Sequence, residues 1–203
     1  MFALIENQQI TKFYSGNKGV TLGDIQYPRS IFTLWSEAER NAIGIFEVTV
    51  DTTNKKDEQW YINTDISYGV ESNKAVGSYG AATPKLLEDR NETNEDGSPM
   101  LDADGNQVVT KGLKSQKKDI IKQQAAGILQ DTDWYITRKA DAGTAVPSAV
   151  TTHRAAVRTK SNEMETAIDN ASDVDALASL YEYTEQADGS FTRPLGEFPR
   201  LDS

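Results

Sequence analysis

Apolar and polar positions alternate along much of the first ninety residues and recur at helical spacing along the last ninety. The stretch "IGIFEVTVDT" sets Ile45, Glu47 and Thr49 against Phe46, Val48 and Val50, the period of two expected of a half-buried strand. "ALIENQQITKFY" places an Asn-Gln-Gln turn between two short apolar runs and predicts a hairpin. "GVTLGDIQYP" alternates until Pro28 stops it, and "QWYINTDISYGVES" and "AVGSYGAATPKLL" predict two further strands joined by the polar turn "ESNK". The one helical stretch in this half is "SIFTLWSEAERNAIG". In it Ser36 with Glu39 forms a capping box and Gly44 suits the position just past the helix end.

After residue 112 the period changes. "LKSQKKDIIKQQAAGILQ" brings Leu113, Ile120 or Ile121, Ala125 and Ile128 to one helical face. A second helix opens at Pro147, where a first-turn proline is tolerated, and carries the stripe Val150, Val157, Met164 and Ile168. A short third helix follows, with Ser172 as its expected cap and Leu177, Leu180 and Tyr181 as its apolar face. The pattern therefore predicts an α+β chain: a small, mostly antiparallel β domain with one short helix over 1–87, then a C-terminal helical hairpin or small bundle. Residues 88–112 are expected to be an acidic loop or linker, with a small hairpin around Asp104-Gly105. Residues 113–183 hold the helical hairpin plus the short helix, and 184–203 form an extended tail.

Composition narrows the chemistry. The chain has 203 residues, with 37% hydrophobic and 26% charged, which predicts a lean core. Twenty-one basic against 31 acidic residues give a net charge of −10, the wrong sign for binding a phosphate backbone or an anionic lipid surface. Cysteine is absent, which removes thiolate catalysis, disulfides and zinc–thiolate sites. The opening "MFALIENQQITKF" has no basic segment followed by an apolar run, so no secretory signal is expected. No run reaches the ~18 to 20 apolar residues of a membrane span. These features predict a soluble protein made in a cytosol.

Candidate catalytic and metal motifs are weak. "DADGNQ" alternates Asp102, Asp104 and Asn106, but its glycine falls at the fourth position and Leu113 stands where a calcium loop needs a bidentate glutamate. A tight turn is the expected structure there. His153 is the only histidine, and Ser148 and Ser161 lie on its own helix without a nucleophile elbow, so His153 reads as a partly buried helix residue. No spacing among Glu37, Glu39, Asp51, Asp57 and Asp65 selects a pair of carboxylates held ~5 to ~9.5 Å apart, as glycoside hydrolysis requires. No catalytic residue, cofactor or metal is expected, and the chain is expected not to be an enzyme.

One constellation stands out. Arg154 and Arg158 lie four apart on one helical face, and "QDTDW" supplies Asp131, Asp133 and Trp134 at the end of the preceding helix. A guanidinium can stack on an indole and pair with a carboxylate, so these residues predict a clasp in which Trp134 folds over the second helix. Trp35, Trp60 and Tyr61 are candidate interface aromatics in the β domain.

The segment "ILQDTDWYITRKADAGTAVPSAVTTHRAAVRTKSNEMETAID" resembles the C-terminal part of bacteriophage tail-fibre and tail-assembly proteins. The resemblance is carried by Asp133, Trp134, Pro147, Arg154 and Arg158. The N-terminal half is similar to phage tail proteins in its "ALI-x-N" start, in Tyr27, Pro28, Ile31, Phe32, Trp35 and Ser36, and in "AIGI" at 42–45. Together the two regions cover roughly half the chain. The resemblance implies a non-catalytic structural protein of a virion tail, assembled in the host cytoplasm and linking tail tip or tube to a fibre or forming part of the fibre. A tail or fibre assembly chaperone left out of the virion is the alternative. Its implied partners are other tail or fibre proteins and further copies of itself, with no nucleic acid and no membrane insertion.

Overall fold

The computed structural model describes residues 1–201. The chain is α+β and forms two compact units that part between Thr83 and Pro84. The first holds most of the strands and the second the long helices.

The main sheet of the first unit is built on two hairpins. Strands β1 (Phe2–Glu6) and β2 (Gln9–Tyr14) pair antiparallel, with Phe2 opposite Tyr14 and Leu4 opposite Lys12. Asn7 and Gln8 between them both take positive φ, the geometry of a two-residue turn whose twist matches the strands it joins. Strands β3 (Val20–Leu22) and β4 (Ile25–Tyr27) form a small separate hairpin. A 3-10 turn over Arg29–Phe32 then buries Ile31 and Phe32. Helix α1 (Glu37–Ala42) begins with the capping box anticipated from the sequence: the Ser36 hydroxyl accepts the Glu39 N–H, and the Glu39 carboxylate accepts the Ser36 N–H at 2.7 Å. Gly44, at φ +80°, ends it.

Strand β5 (Ile45–Asp51) lies antiparallel to β1 and leads through β6 (Tyr61–Ile62) to the second hairpin, β7 (Ile66–Glu71) and β8 (Lys74–Tyr79). That hairpin also turns on two positive-φ residues, Ser72 and Asn73. The sheet order is β2-β1-β5-β8-β7, and the β5–β8 pairing is parallel. On one face Ile45 packs with Val20, Ile31 and Phe32, ringed by Phe2, Leu4, Tyr14 and Trp35. On the other, Ala3 and Ala75 are fully buried because the sheet curls until its two edges meet. There the Phe13 ring lies edge-on to Tyr68 at 5.0 Å, and Gln8 donates to the Asn73 side chain at 3.0 Å.

A two-residue strand, β9 (Thr83–Pro84), spans the boundary between the units. The acidic stretch expected to be a loop with a small hairpin around Asp104-Gly105 holds that hairpin, with Leu101 bridged to Gln107, and further paired backbone around it. Strands β10 (Arg90–Asn91) and β11 (Val109–Thr110) form an antiparallel ladder, extended by bridges between Thr93 and Pro99 and between Leu101 and Gln107. Three passes of the chain close a ring. Glu92 N–H donates to the Val108 carbonyl (2.9 Å), Val108 N–H to Met100 (2.8 Å), and Met100 N–H to Glu92 (3.0 Å). The Gln107 side-chain nitrogen sits among the same three carbonyls, 2.7, 3.1 and 2.9 Å from those of Glu92, Met100 and Val108. "DADGN" is the tight turn expected: Asp102 Oδ1 accepts the backbone N–H groups of Asp104 and Asn106.

Helix α2 (Leu113–Gln130) packs against α4 (Ser148–Asp169), with α3 (Asp133–Ala142) between them in sequence. Along α4, Val150, Val157, Met164 and Ile168 are all buried, as their spacing predicts. On α2, Leu113, Ile121 and Ala125 face inward, while Ile120 is 45% exposed, which settles the choice between the two isoleucines. The N-terminus of α2 is capped from a distance: Asp89 accepts the Gly112 N–H and the Ser115 hydroxyl. A Cβ at Gly112 would lie 2.4 Å from the Glu88 carbonyl carbon, so only glycine lets the two backbones approach so closely. Lys114 is buried and joins Glu88 (2.5 Å) to the Asp169 carbonyl at the end of α4 (2.9 Å).

Helix α5 (Val174–Ser179) is capped by Asp173, whose carboxylate accepts the Ala176 N–H, and not by Ser172; a carboxylate is the stronger acceptor of the adjacent pair. The segment expected to be an extended tail contains a short hairpin, β12 (Thr184–Glu185) with β13 (Phe191–Thr192), before Leu195 buries itself.

Candidate interaction site

The end of α2 leaves carbonyls that no further helical turn can satisfy, at the negative end of the helix dipole. Arg154 of α4 meets them. Its Nη1 donates to the Leu129 carbonyl at 2.7 Å and to the Thr132 hydroxyl at 2.6 Å, and its Nη2 lies 2.8 Å from Asp133 Oδ1. Thr132 is itself buried, and its hydroxyl donates to Leu129 at 3.0 Å. The guanidinium thus adds a charged donor to the Leu129 carbonyl, which the Thr132 N–H also meets at 3.1 Å, and ties the start of α3 to α4. Arg154 and Asp133 were legible in the sequence. Thr132, a hydroxyl placed between two acids, was the member that sequence reasoning missed.

The rest of the expected clasp is arranged differently. Trp134 is 50% exposed and does not cover α4. Successive helical residues point ~100° apart, so aiming Asp133 at Arg154 swings Trp134 outward. There it stacks on Tyr135 (ring centroids 3.7 Å apart) with the Arg138 guanidinium 4.7 Å from its ring. Arg158, one turn further along α4, is exposed and folds back onto the Arg154 carbonyl at 3.4 Å. Pro147 is also exposed. It immediately precedes α4, and its carbonyl accepts the Thr151 N–H. Asp131 remains at the surface outside the pairing.

The β-unit aromatics are not a free surface either. Trp60 and Tyr61 are buried, at 6% and 8% exposure. Trp35 is half-buried and packs edge-on to Tyr27 at 5.9 Å. In so lean a chain these large rings supply the core.

Helix α3 buries none of its ten residues. Beside it, a groove of about 900 Å3 opens between α2, α4 and the chain's last described segment. Gly127, Ile128, His153, Tyr183, Phe198 and Pro199 are among its lining residues. One wall is braced by Glu197, which accepts the Tyr183 hydroxyl at 2.7 Å and pairs with Arg193 at 2.8 Å. The hydrogen bond to that carboxylate, with a smaller contribution from burial, raises the Tyr183 phenol above its ordinary pKa of 10.0. His153 is a buried helix residue, as its place between Val150 and Val157 suggested, and its Nδ1 has no hydrogen-bond partner.

Among the described residues, no group of three or more His, Asp or Glu side chains is placed to hold a metal ion. No described helix is long and apolar enough to cross a membrane. Fold and site together define a two-unit α+β chain whose helical unit presents an uncovered aromatic helix beside an open groove. No family model, curated protein or solved structure matches the chain.

Proposed function

We propose that the chain is a non-catalytic structural protein of a bacteriophage tail, linking the tail tip or tube to a fibre or forming part of the fibre. The observation that carries this reading is the state of the "TDW" helix. Within the segment that resembles phage tail proteins, Asp133 is anchored to Arg154 while Trp134 and Ile136 stand half-exposed on a helix with no cover of its own. Large aromatics held rigidly at a surface are typical anchors of protein–protein contacts. The net charge of −10 favours protein partners over nucleic acid.

Quantitative mass spectrometry of purified infectious virions tests the reading. Peptides of this chain in a fixed ratio to a tail-tube protein are the expected result. Absence from virions overturns it; absence together with association with fibre protein in infected-cell lysate would make the chain an assembly chaperone.

A further inference from the structure

We propose that Asp104-Gly105 is a site of spontaneous covalent modification, at which Asp104 isomerises to isoaspartate ahead of the two other Asp-Gly steps in the chain. The argument rests on a comparison that the molecule itself supplies.

Asp-Gly occurs three times in the sequence, at 96–97, 104–105 and 188–189. Each pair sits in the same turn. Asn94 N–H donates to the Ser98 carbonyl at 2.9 Å, Asp102 N–H to Asn106 at 2.8 Å, and Gln186 N–H to Ser190 at 2.8 Å. In each turn the glycine N–H returns to the first residue's carbonyl, at 2.9, 3.1 and 3.0 Å, and the glycine φ is +82°, +82° and +79°. This is a type I turn closed by a left-handed glycine, a common hairpin loop.

The turns differ in what holds the aspartate. Asp96 Oδ1 accepts the Ser98 N–H at 2.9 Å and its hydroxyl at 2.6 Å. Asp188 Oδ1 accepts the Ser190 N–H and hydroxyl at the same distances. In the third turn Asn106 stands where the others have serine, and its N–H goes to Asp102 Oδ1 at 2.8 Å. Asp104 gives its own N–H to Asp102 as well, and its carboxylate has no partner among the described residues.

That difference bears directly on the chemistry. The Gly105 nitrogen attacks Cγ of the Asp104 carboxyl group, and the amide proton leaves with the carboxyl OH as water. Water then opens the cyclic succinimide. Attack at Cγ restores aspartate, and attack at the former peptide carbonyl breaks its bond to nitrogen and leaves isoaspartate. The net change is an isomerisation that needs no oxidant or cofactor. A Cβ at Gly105 would meet nothing within 4 Å, and glycine carries none to hinder the attack. The carboxyl group must turn toward the next nitrogen and must be protonated to release water. In Asp96 and Asp188 the serine hydroxyl, and then the serine N–H, hold the carboxylate in place and its pKa below the ordinary 3.8. Asp104 has no such restraint. Its product carries one more methylene in the main chain, inside the turn that the Leu101–Gln107 bridge closes.

The test is peptide mapping of the full chain after several weeks at neutral pH and body temperature, with electron-transfer fragmentation to place isoaspartate. Fragmentation is needed because no Lys or Arg separates Asp96 from Asp104. Isoaspartate should accumulate at Asp104 at least about fivefold faster than at Asp96 or Asp188, the population cost of releasing one ordinary hydrogen bond. Ser98→Ala should raise the rate at Asp96, and Ser190→Ala that at Asp188, each by a similar factor and without change at Asp104. In concentrated urea the three rates should converge, since the serine restraints exist only in the folded chain. Equal rates in the folded chain would overturn the proposal. So would serine variants without effect, or a lead of Asp104 that persists in urea, which would trace it to local sequence alone.

Discussion

The Arg154 guanidinium closes the end of α2 and holds Asp133 at 2.8 Å, so one side chain on α4 fixes both the stop of one helix and the start of the next. Arg154 is buried and Asp133 is 58% exposed, so the ion pair as such contributes at most about 1 kcal/mol. The larger share is the pairing of the Leu129 carbonyl and the Thr132 hydroxyl. Arg154→Met should cost about 1–2 kcal/mol, the loss of two charge-assisted hydrogen bonds whose acceptors keep the bond between Thr132 and the Leu129 carbonyl. Arg158→Ala should stay within about 0.5 kcal/mol. Urea unfolding of both variants checks the contrast, and equal losses would show that the two arginines share the role.

The tryptophans should separate in the same way. Trp60→Ala should cost about 3–5 kcal/mol, as for other large buried aromatics. Trp134→Ala should shift stability by less than about 0.5 kcal/mol when measured at high dilution. Acrylamide quenching offers an independent reading, because a Trp134→Phe chain should lose the most accessible part of the fluorescence.

Acid should loosen the junction between the acidic segment and α2. Asp89 is held below its ordinary pKa of 3.8, first by the Gly112 N–H and then by the Ser115 hydroxyl. A depressed carboxylate stabilises the fold fully above its unfolded pKa, and that contribution is lost as pH falls through the folded value. Lys111 and Lys118 are raised above 10.5 by hydrogen bonds to Asp119 and Asp169, so their contributions hold below that value and fade as pH rises through the folded ones. Stability should therefore be flat across neutral pH and fall on both sides. The acid limb should be shallower in Asp89→Asn, as followed by the urea midpoint against pH.

Gln107 should matter far more than an ordinary polar residue in an acidic loop. Gln107→Ala removes the amide that sits among three carbonyls and should cost about 1–3 kcal/mol locally. Hydrogen exchange is the decisive readout. The amides of Glu92, Met100 and Val108 should lose protection while those in the middle of α2 keep theirs.

What could be read in advance follows from which signals are local. The Ser36–Glu39 box, the alternation along 45–50 and the stripe on α4 each encode their structure within a few residues, and each forms as expected. Helix α3 escaped because its few apolar residues show no helical period, so only two long helices and a short third one were expected over 113–183. In the segment 88–112 the turn at Asp104-Gly105 was readable, while the pairing around it escaped because that order resides in main-chain bonds and in one glutamine, which composition does not distinguish from a solvated loop. Trp60 and Trp134 look alike as letters. Only the direction imposed by Asp133 and Arg154 turns one of them outward.

The parallel pairing of β5 with β8 sets an order of events for the first unit. Each flanking hairpin, β1–β2 and β7–β8, closes over a two-residue turn and so can form within microseconds from neighbouring residues alone. Joining β8 to β5 brings together positions such as Val48 and Ala75, which lie far apart in sequence, and must wait for that loop to close. The contact between Gln8 and Asn73 at the two turns can engage only once both hairpins stand in the sheet. Substitutions in the turns should then govern how fast each half is ready, while substitutions along β5 decide how fast the halves are joined.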